Sequence, residues 1–249
     1  MRIVTRPDFD GVVCAVLLRE AIDGALPIFW AEPGDMQHGL VDVQAGDIVA
    51  NLPFHDRCAM WFDHHYSNVP GRPFEGAFEL APSAAGLVHR YFADRLTTDF
   101  DELIRQTDKI DAAALSEDEV QFPENYPYVL LSMTVSGRDP DDEPYWNRLV
   151  TLLGAGTIDA VMADPEADVA GVPEKHRLHI LEEPGSALQK PLHAGLSGGV
   201  DRRRQDQTDN ERCLPVRPKS LGAELFCQLF FQIERIDRFG TWTGNPLAD

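Results

Sequence analysis

Short apolar segments alternate with longer amphipathic segments along residues 1–155, and this alternation restricts the fold more than any other feature. The short segments have the length of buried strands, and the longer ones carry apolar residues at helical spacing. Strands separated by helices predict a parallel sheet covered by helices. We therefore predict an α/β fold with a doubly wound, mostly parallel sheet. The predicted strands are residues 1–5, 27–31, 46–51, 58–62 and 76–80, and the predicted helices are residues 11–23, 83–95, 100–115, 125–136 and 143–153.

One connection fits this scheme poorly. Residues 53–57 join the third and fourth predicted strands, and they are too few to contain a helix. Parallel neighbours are usually joined by a crossover of about a dozen residues or more. This link is the weakest part of the predicted topology.

The fourth predicted strand is followed directly by Asp63, His64 and His65. In open parallel sheets, ligands and metals bind at the carboxyl ends of the strands, where these side chains would emerge. Imidazole and carboxylate groups together suit Mn, Zn, Fe or Mg. For the three residues taken alone, a solvated turn is the alternative.

A second polar cluster follows the first predicted strand. Asp8 and Asp10 flank Phe9 on a turn closed by Gly11. Two neighbouring carboxylates repel each other, so a cation that holds them together favours this arrangement. Capping of the next helix is the alternative, and it would account for one Asp more readily than for both.

The acidic run at residues 108–111 would pass as ordinary helix-surface charge on its own. Together with the Asp-x-Asp-Gly turn at residues 8–11, the Asp-His-His triplet at 63–65 and the Ala-Pro-Ser-Ala-Ala segment at 81–85, it resembles the DHH phosphoesterase superfamily, specifically its exopolyphosphatase-like members. The resemblance covers residues 1–155. It implies a doubly wound parallel sheet, a divalent metal cofactor (Mn or Mg), and hydrolysis of phosphoester or phosphoanhydride bonds.

The resemblance also implies a set of metal ligands. Asp8 would hold one metal ion, and Asp10, His64 and Asp108 would hold the other. Asp111 is expected to be a charge beside the site and a weaker ligand candidate.

Two residues of the triplet are expected to act in catalysis without binding the metal. His65 would contact the substrate phosphate and could assist the leaving oxygen. Asp63 would hold an imidazole in the correct tautomer, as ligating His residues usually require.

Two positions depart from the family pattern. Arg6 stands where the family usually has a His, and Asn51 stands where it usually has an Asp that bridges two metal ions. An amide oxygen bridges two dications less well than a carboxylate, and a guanidinium cannot bind a metal at all. We therefore predict a site weakened for the first ion. Asn51 would be a poor metal ligand, and Arg6 would replace part of the lost ion's charge and hold a phosphate.

Two classes of function remain open at this stage. The leading hypothesis is a metal-dependent hydrolase that acts on polyphosphate, short oligonucleotides or a small phosphorylated molecule. The alternative is a non-catalytic protein that keeps the fold and binds a metal or a phosphate, because a two-metal mechanism needs both ions.

The composition of the chain limits the kinds of molecule that the protein is expected to bind. The formal net charge of −19 disfavours long nucleic acid as a partner, whereas a short phosphorylated substrate is compatible with a local metal ion. No segment approaches the ~18 continuous apolar residues of a membrane span. The four Cys are scattered without a C-x-x-C pair, which indicates buried thiols and a cytoplasmic location. A homo-oligomer is compatible with these features.

The last part of the chain is the least informative. Residues 156–249 are predicted to form a divergent or truncated C-terminal region after the domain of residues 1–155. Residues 164–220 are rich in polar residues and Pro and indicate irregular structure. Residues 221–235 regain an amphipathic pattern, which predicts one helix.

Overall fold

The computed structural model describes residues 1–135 and 140–165. Within these residues, five short strands and eight α-helices confirm the predicted α/β class. The strands are β1 (Ile3–Thr5), β2 (Ile28–Trp30), β3 (Ile48–Ala50), β4 (Met60–Asp63) and β5 (Glu75–Phe78). The helices are α1 (Phe9–Ala21), α2 (Pro33–Gln37), α3 (Ala84–Tyr91), α4 (Asp101–Asp111), α5 (Glu117–Gln121), α6 (Pro127–Ser132), α7 (Glu143–Ala155) and α8 (Ile158–Met162), and short 3-10 helices lie at Pro123–Asn125 and Pro140–Asp142.

All five strands form one parallel sheet in the order β2-β1-β3-β4-β5. At its centre Thr5 lies beside Ala50, and Ala50 lies beside Phe62. The carboxyl ends of β1, β3 and β4 therefore meet at one edge of the sheet. The polar residues that follow these three strands are brought together by this register.

Two connections in the sheet contain no helix. Residues 51–59 join β3 to β4, and residues 64–74 join β4 to β5, in both cases between neighbouring parallel strands. Both links consist of turns and loops. The link at residues 53–57, which is too short for a helix, is therefore long enough, because a loop alone joins β3 to β4.

The central strands β1, β3 and β4 are buried on both faces of the sheet, and their successive side chains enter two different cores. Ile48 and Phe62 lie in the larger core with residues of α1, α3, α4, α6, α7 and α8. Val49 and Trp61 lie in a second core that includes Met36 of α2 and residues of the adjoining loops.

The predicted helices differ from the observed ones at several positions. The helix α2 was not predicted, because five residues are too short to show a helical period. The predicted helix at 100–115 ends earlier in the structure, because α4 stops at Asp111. Neither α5 (Glu117–Gln121) nor α8 (Ile158–Met162) was predicted. Ala113 adopts a positive φ of 51° after α4, and Ser116 begins α5 with a capping box.

The predicted irregular region and the helix at 221–235 lie outside the described residues. Helix α8 follows residue 155 and places Val161 in the larger core. The domain boundary near residue 155 stays a prediction. Among the described helices, none combines the length and the apolar character needed to cross a membrane. Cys14 and Cys58 are buried free thiols, as predicted.

Candidate metal centre

The turn after β1 places its two carboxylates in different environments. Asp8 caps α1, since one of its oxygens accepts a hydrogen bond from the Gly11 N–H at 2.8 Å. Capping therefore accounts for Asp8 in part. Gly11 is required here because an added Cβ would lie 2.0 Å from the Arg6 carbonyl oxygen.

Asp10 is buried at the amino end of α3. Its two oxygens accept hydrogen bonds from the Ala84 N–H at 3.0 Å and the Ala85 N–H at 2.8 Å. Burial, together with the charge of Asp8, raises the pKa of Asp10 by more than His64 lowers it. A buried carboxylate of this kind is stabilised by a nearby cation.

His64 is held by its Nδ1 atom, which lies 3.0 Å from the Ala81 carbonyl oxygen. A carbonyl can only accept, so Nδ1 carries a proton, and in the neutral imidazole Nε2 presents its lone pair. Nε2 is buried and has no hydrogen-bond partner. It lies 3.8 Å from an oxygen of Asp10 and 3.2 Å from an oxygen of Asp111.

Asp111, at the end of α4, completes this group. Ligand atoms of Asp10, His64 and Asp111 all lie within 4.8 Å of one another. Burial raises the pKa of Asp111 most, the charges of Asp10 and Asp8 raise it further, and the Arg6 guanidinium opposes them. The resulting pKa is well above the usual value for Asp.

These three residues fit a divalent cation. Two carboxylates that repel each other face an imidazole lone pair that no donor satisfies. One cation between them would relieve the repulsion and bind the lone pair. Oxygen and imidazole ligands suit Mn, Mg, Zn or Fe.

Asp108 lies elsewhere in the same region. One of its oxygens accepts a hydrogen bond from the Ser83 hydroxyl at 2.6 Å, and the same hydroxyl accepts from the Gly86 N–H to cap α3. We expected Asp108 to be a ligand and Asp111 to be a neighbouring charge. The structure places an oxygen of Asp111 3.2 Å from the Nε2 of His64, and metal binding by Asp108 stays a prediction.

Arg6 and Asn51 both contact Asp8. The Arg6 Nε lies 3.2 Å from one oxygen of Asp8, and the Asn51 Nδ2 donates to the other at 2.9 Å. Asn51 adopts a positive φ of 55° at the end of β3. Its Oδ1 is buried without a hydrogen-bond partner.

The remaining two predicted residues contact each other. The Asp63 carboxylate lies 2.9 Å from the Nδ1 of His65 and accepts a hydrogen bond from Asn68 at 2.7 Å. Burial lowers the pKa of His65, but the hydrogen bond and charge of Asp63 outweigh it and raise the pKa. The imidazole that Asp63 orients is that of His65, whereas a backbone carbonyl orients His64.

Several contacts were not predicted from the residue types. The Ala84 and Ala85 N–H groups and the Ala81 carbonyl position Asp10 and His64 through the backbone. The Pro-Ser pair at 82–83 before an apolar helix signals a helix start, and this signal could have located the N–H groups. Nothing in the sequence assigns a role to the Ala81 carbonyl.

Comparisons with known proteins give one informative similarity. No family model matches the chain, and no curated protein matches it. Among solved structures, the pGpG-specific phosphodiesterase PggH from Vibrio cholerae is 31% identical, with a TM-score of 0.60, over 72% of this chain and 60% of that chain. An uncharacterized protein from Helicobacter pylori G27 matches at 10% identity and a TM-score of 0.38, over 77% of this chain and 65% of that chain. This similarity is too low to indicate a function. The chain is thus similar to a phosphodiesterase and spans 60% of that protein's length.

Proposed function

We propose that this protein is a divalent-metal-dependent phosphodiesterase of the DHH type that hydrolyses short oligonucleotides, with a dinucleotide such as pGpG as the leading substrate. The similarity to a pGpG-specific phosphodiesterase supports the reaction and the substrate class. Polyphosphate, which the sequence resemblance also implied, has no support from the comparisons. The net charge of −19 favours a short substrate over a long polyanion.

The observation that carries this proposal is the buried Nε2 of His64. It has no hydrogen-bond partner and faces carboxylate oxygens of Asp10 and Asp111. A buried acceptor without a donor is costly in a folded protein. A divalent cation is the group that satisfies an imidazole lone pair and two carboxylates together.

Asp10, His64 and Asp111 would hold the ion, with Mn²⁺ or Mg²⁺ as the proposed cofactor. When bound, the ion would supply Lewis acidity for displacement at phosphorus. The Ala81 carbonyl keeps the proton of His64 on Nδ1, so Nε2 stays available. The α3 N–H groups keep both oxygens of Asp10 in fixed positions.

The charged groups around these ligands would act on the substrate. Arg6 carries a permanent positive charge and would offset charge that develops on the phosphoryl oxygens. Asp63 holds the Nδ1 proton of His65, which leaves the His65 Nε2 to hold or transfer a proton at the substrate. Arg6, His65 and Asp63 therefore keep their predicted catalytic roles in this proposal.

A non-catalytic phosphate- or metal-binding protein is the second candidate. The observation that favours it is the pairing of Asp8 with Arg6 and Asn51, which occupies a carboxylate expected to bind a metal. Turnover distinguishes the two candidates, because both predict metal binding at Asp10, His64 and Asp111.

The test is an assay of the full chain with pGpG, two other dinucleotides and polyphosphate, each with Mn²⁺ or Mg²⁺ and with EDTA. Release of mononucleotide is followed by chromatography. We expect metal-dependent cleavage of pGpG, its loss in EDTA and its recovery when Mn²⁺ is restored. The variant His64→Ala should lose cleavage while its circular dichroism stays that of the wild type.

His38→Ala is the matched control, because His38 is exposed and lies outside the site. It should cleave pGpG at the wild-type rate. Metal binding without cleavage of any substrate would favour the second candidate. Cleavage that survives both EDTA and His64→Ala would contradict the proposed function.

A further inference from the structure

Both oxygens of the Asp8 carboxylate face donors of this chain. One oxygen accepts from the Gly11 N–H at 2.8 Å and from the Asn51 Nδ2 at 2.9 Å. The other oxygen lies 3.2 Å from the Arg6 Nε. Donors on both oxygens offset part of the carboxylate's charge, which makes Asp8 a weaker metal ligand.

The Asn51 side chain is oriented as a donor. The atom that faces Asp8 must be the NH₂ group, because two oxygens without a proton between them repel each other. Its Oδ1 therefore points away from Asp8 and is the buried atom without a partner. Asn51 thus stabilises the charge on Asp8 through its NH₂ group.

The Arg6 guanidinium faces two carboxylates through one nitrogen. Its Nε lies 3.2 Å from an oxygen of Asp8 and 3.9 Å from an oxygen of Glu32 at the start of α2. Its side chain is only 14% exposed. An arginine keeps its charge at every physiological pH, and partial burial reduces the screening of that charge.

The same guanidinium bears on metal binding, because its Nε lies 3.2 Å from the Asp8 carboxylate that a second ion would need. A second dication near Asp8 would be repelled by this fixed charge. Asp10, His64 and Asp111 could bind an ion without displacing the ion pairs that the structure describes for Arg6, which are with Asp8 and Glu32.

We propose that Arg6, held by Asp8 and Glu32, takes the place of a second metal ion, so that the site binds one divalent ion and uses the guanidinium to bind the substrate phosphate. This inference rests on the proposed function. A guanidinium binds a phosphate through two parallel hydrogen bonds, which orients it as well as attracting it. Arg6 would therefore act on the substrate, and Glu32 would be a positioning residue for Arg6.

The test counts Mn²⁺ ions per chain by equilibrium dialysis and elemental analysis. The full-length wild type should bind one ion. The double variant Arg6→His/Asn51→Asp removes the fixed charge, frees Asp8 and adds an imidazole and a carboxylate, and it should bind two ions. Two ions in the wild type, or one ion in a folded double variant, would overturn the inference.

Arg6→Lys is the matched control, because it keeps the charge but loses the paired hydrogen bonds. It should still bind one Mn²⁺, while its affinity for inorganic phosphate falls by about 10-fold. If the double variant does not fold, Arg6→Gln alone should admit a second ion, and a count of one there would overturn the inference. The complete absence of bound Mn²⁺ in the wild type would overturn the proposed function as well, whereas a count of two would leave it standing.

Discussion

The Nε2 atom of His64 lies 3.2 Å from a carboxylate oxygen of Asp111, yet no hydrogen bond satisfies that nitrogen. The two residues come from different elements, since His64 follows β4 and Asp111 ends α4. The Ala81 carbonyl fixes the imidazole from its other side. This pairing, completed by Asp10, is the reason to expect a bound cation.

Asp111→Asn is expected to weaken Mn²⁺ binding by about 10-fold or more, because a neutral amide offers a poorer ligand than a carboxylate. Titration calorimetry measures the change. The matched variant is Asp108→Asn in the same helix, where the new amide oxygen can still accept from the Ser83 hydroxyl. An equal or larger loss of affinity in Asp108→Asn would show that Asp108 is the ligand after all.

Asp63→Asn is expected to reduce pGpG cleavage by about 10- to 100-fold while Mn²⁺ binding stays unchanged. Asp63 faces two donors, the ring of His65 and the amide of Asn68, and an Asn has only one oxygen to serve both. The His65 ring would lose its fixed orientation. Steady-state kinetics and calorimetry on the same samples separate the two effects. The control Asn68→Ala removes one donor only and should cost less activity.

Gly11→Ala is expected to lower the free energy of unfolding by about 1–3 kcal/mol, because the new Cβ would meet the Arg6 carbonyl oxygen at 2.0 Å. The turn that carries Asp8 and Asp10 would have to shift. Urea unfolding measures the loss. Gly24→Ala is the control, since no atom lies within 4 Å of a Cβ there, and it should stay within about 0.5 kcal/mol of the wild type. Equal stability of Gly11→Ala and the wild type would contradict the close approach.

Glu119 gives a pH dependence of stability. Burial raises its pKa, but hydrogen bonds from Lys109 and Ser116 outweigh burial and lower the pKa from 4.5 to about 2. The native state therefore favours the charged form. The stabilisation of the native state by charged Glu119 is fully present above pH 4.5 and is lost as the pH falls toward 2.

Glu119→Gln should accordingly unfold about 1 kcal/mol more easily than the wild type at pH 7, with the difference shrinking as the pH falls below 4.5. Urea unfolding from pH 7 to pH 2 measures it. Glu117→Gln, at an exposed position of the same helix, is the control and should show little difference at any pH. If the difference in unfolding free energy between Glu119→Gln and the wild type grew as the pH fell, the ion pair with Lys109 would be contradicted.

The centre of the sheet could be predicted from the sequence because strands β1, β3 and β4 are buried on both faces. Segments such as Ile48–Ala50 and Trp61–Phe62 are continuously apolar, and polar residues mark their carboxyl ends. Parallel pairing then brings those ends to one edge. The convergence of the turn after β1 with the residues after β4 follows from this pattern.

The choice between Asp108 and Asp111 could not be predicted in the same way. Three residues apart, they lie on neighbouring parts of one helix face. The rotation of α4 about its axis decides which of them faces His64, and the packing of Leu103, Thr107 and Ile110 sets that rotation. Tertiary packing of this kind leaves no local signal in the sequence.

Anomalous diffraction at the manganese edge, from crystals of the full chain grown with Mn²⁺, tests the proposed metal centre most directly. We predict one strong peak bonded to Asp10, His64 and Asp111. A peak bonded to other residues, or the absence of any peak at saturating Mn²⁺, would contradict the account.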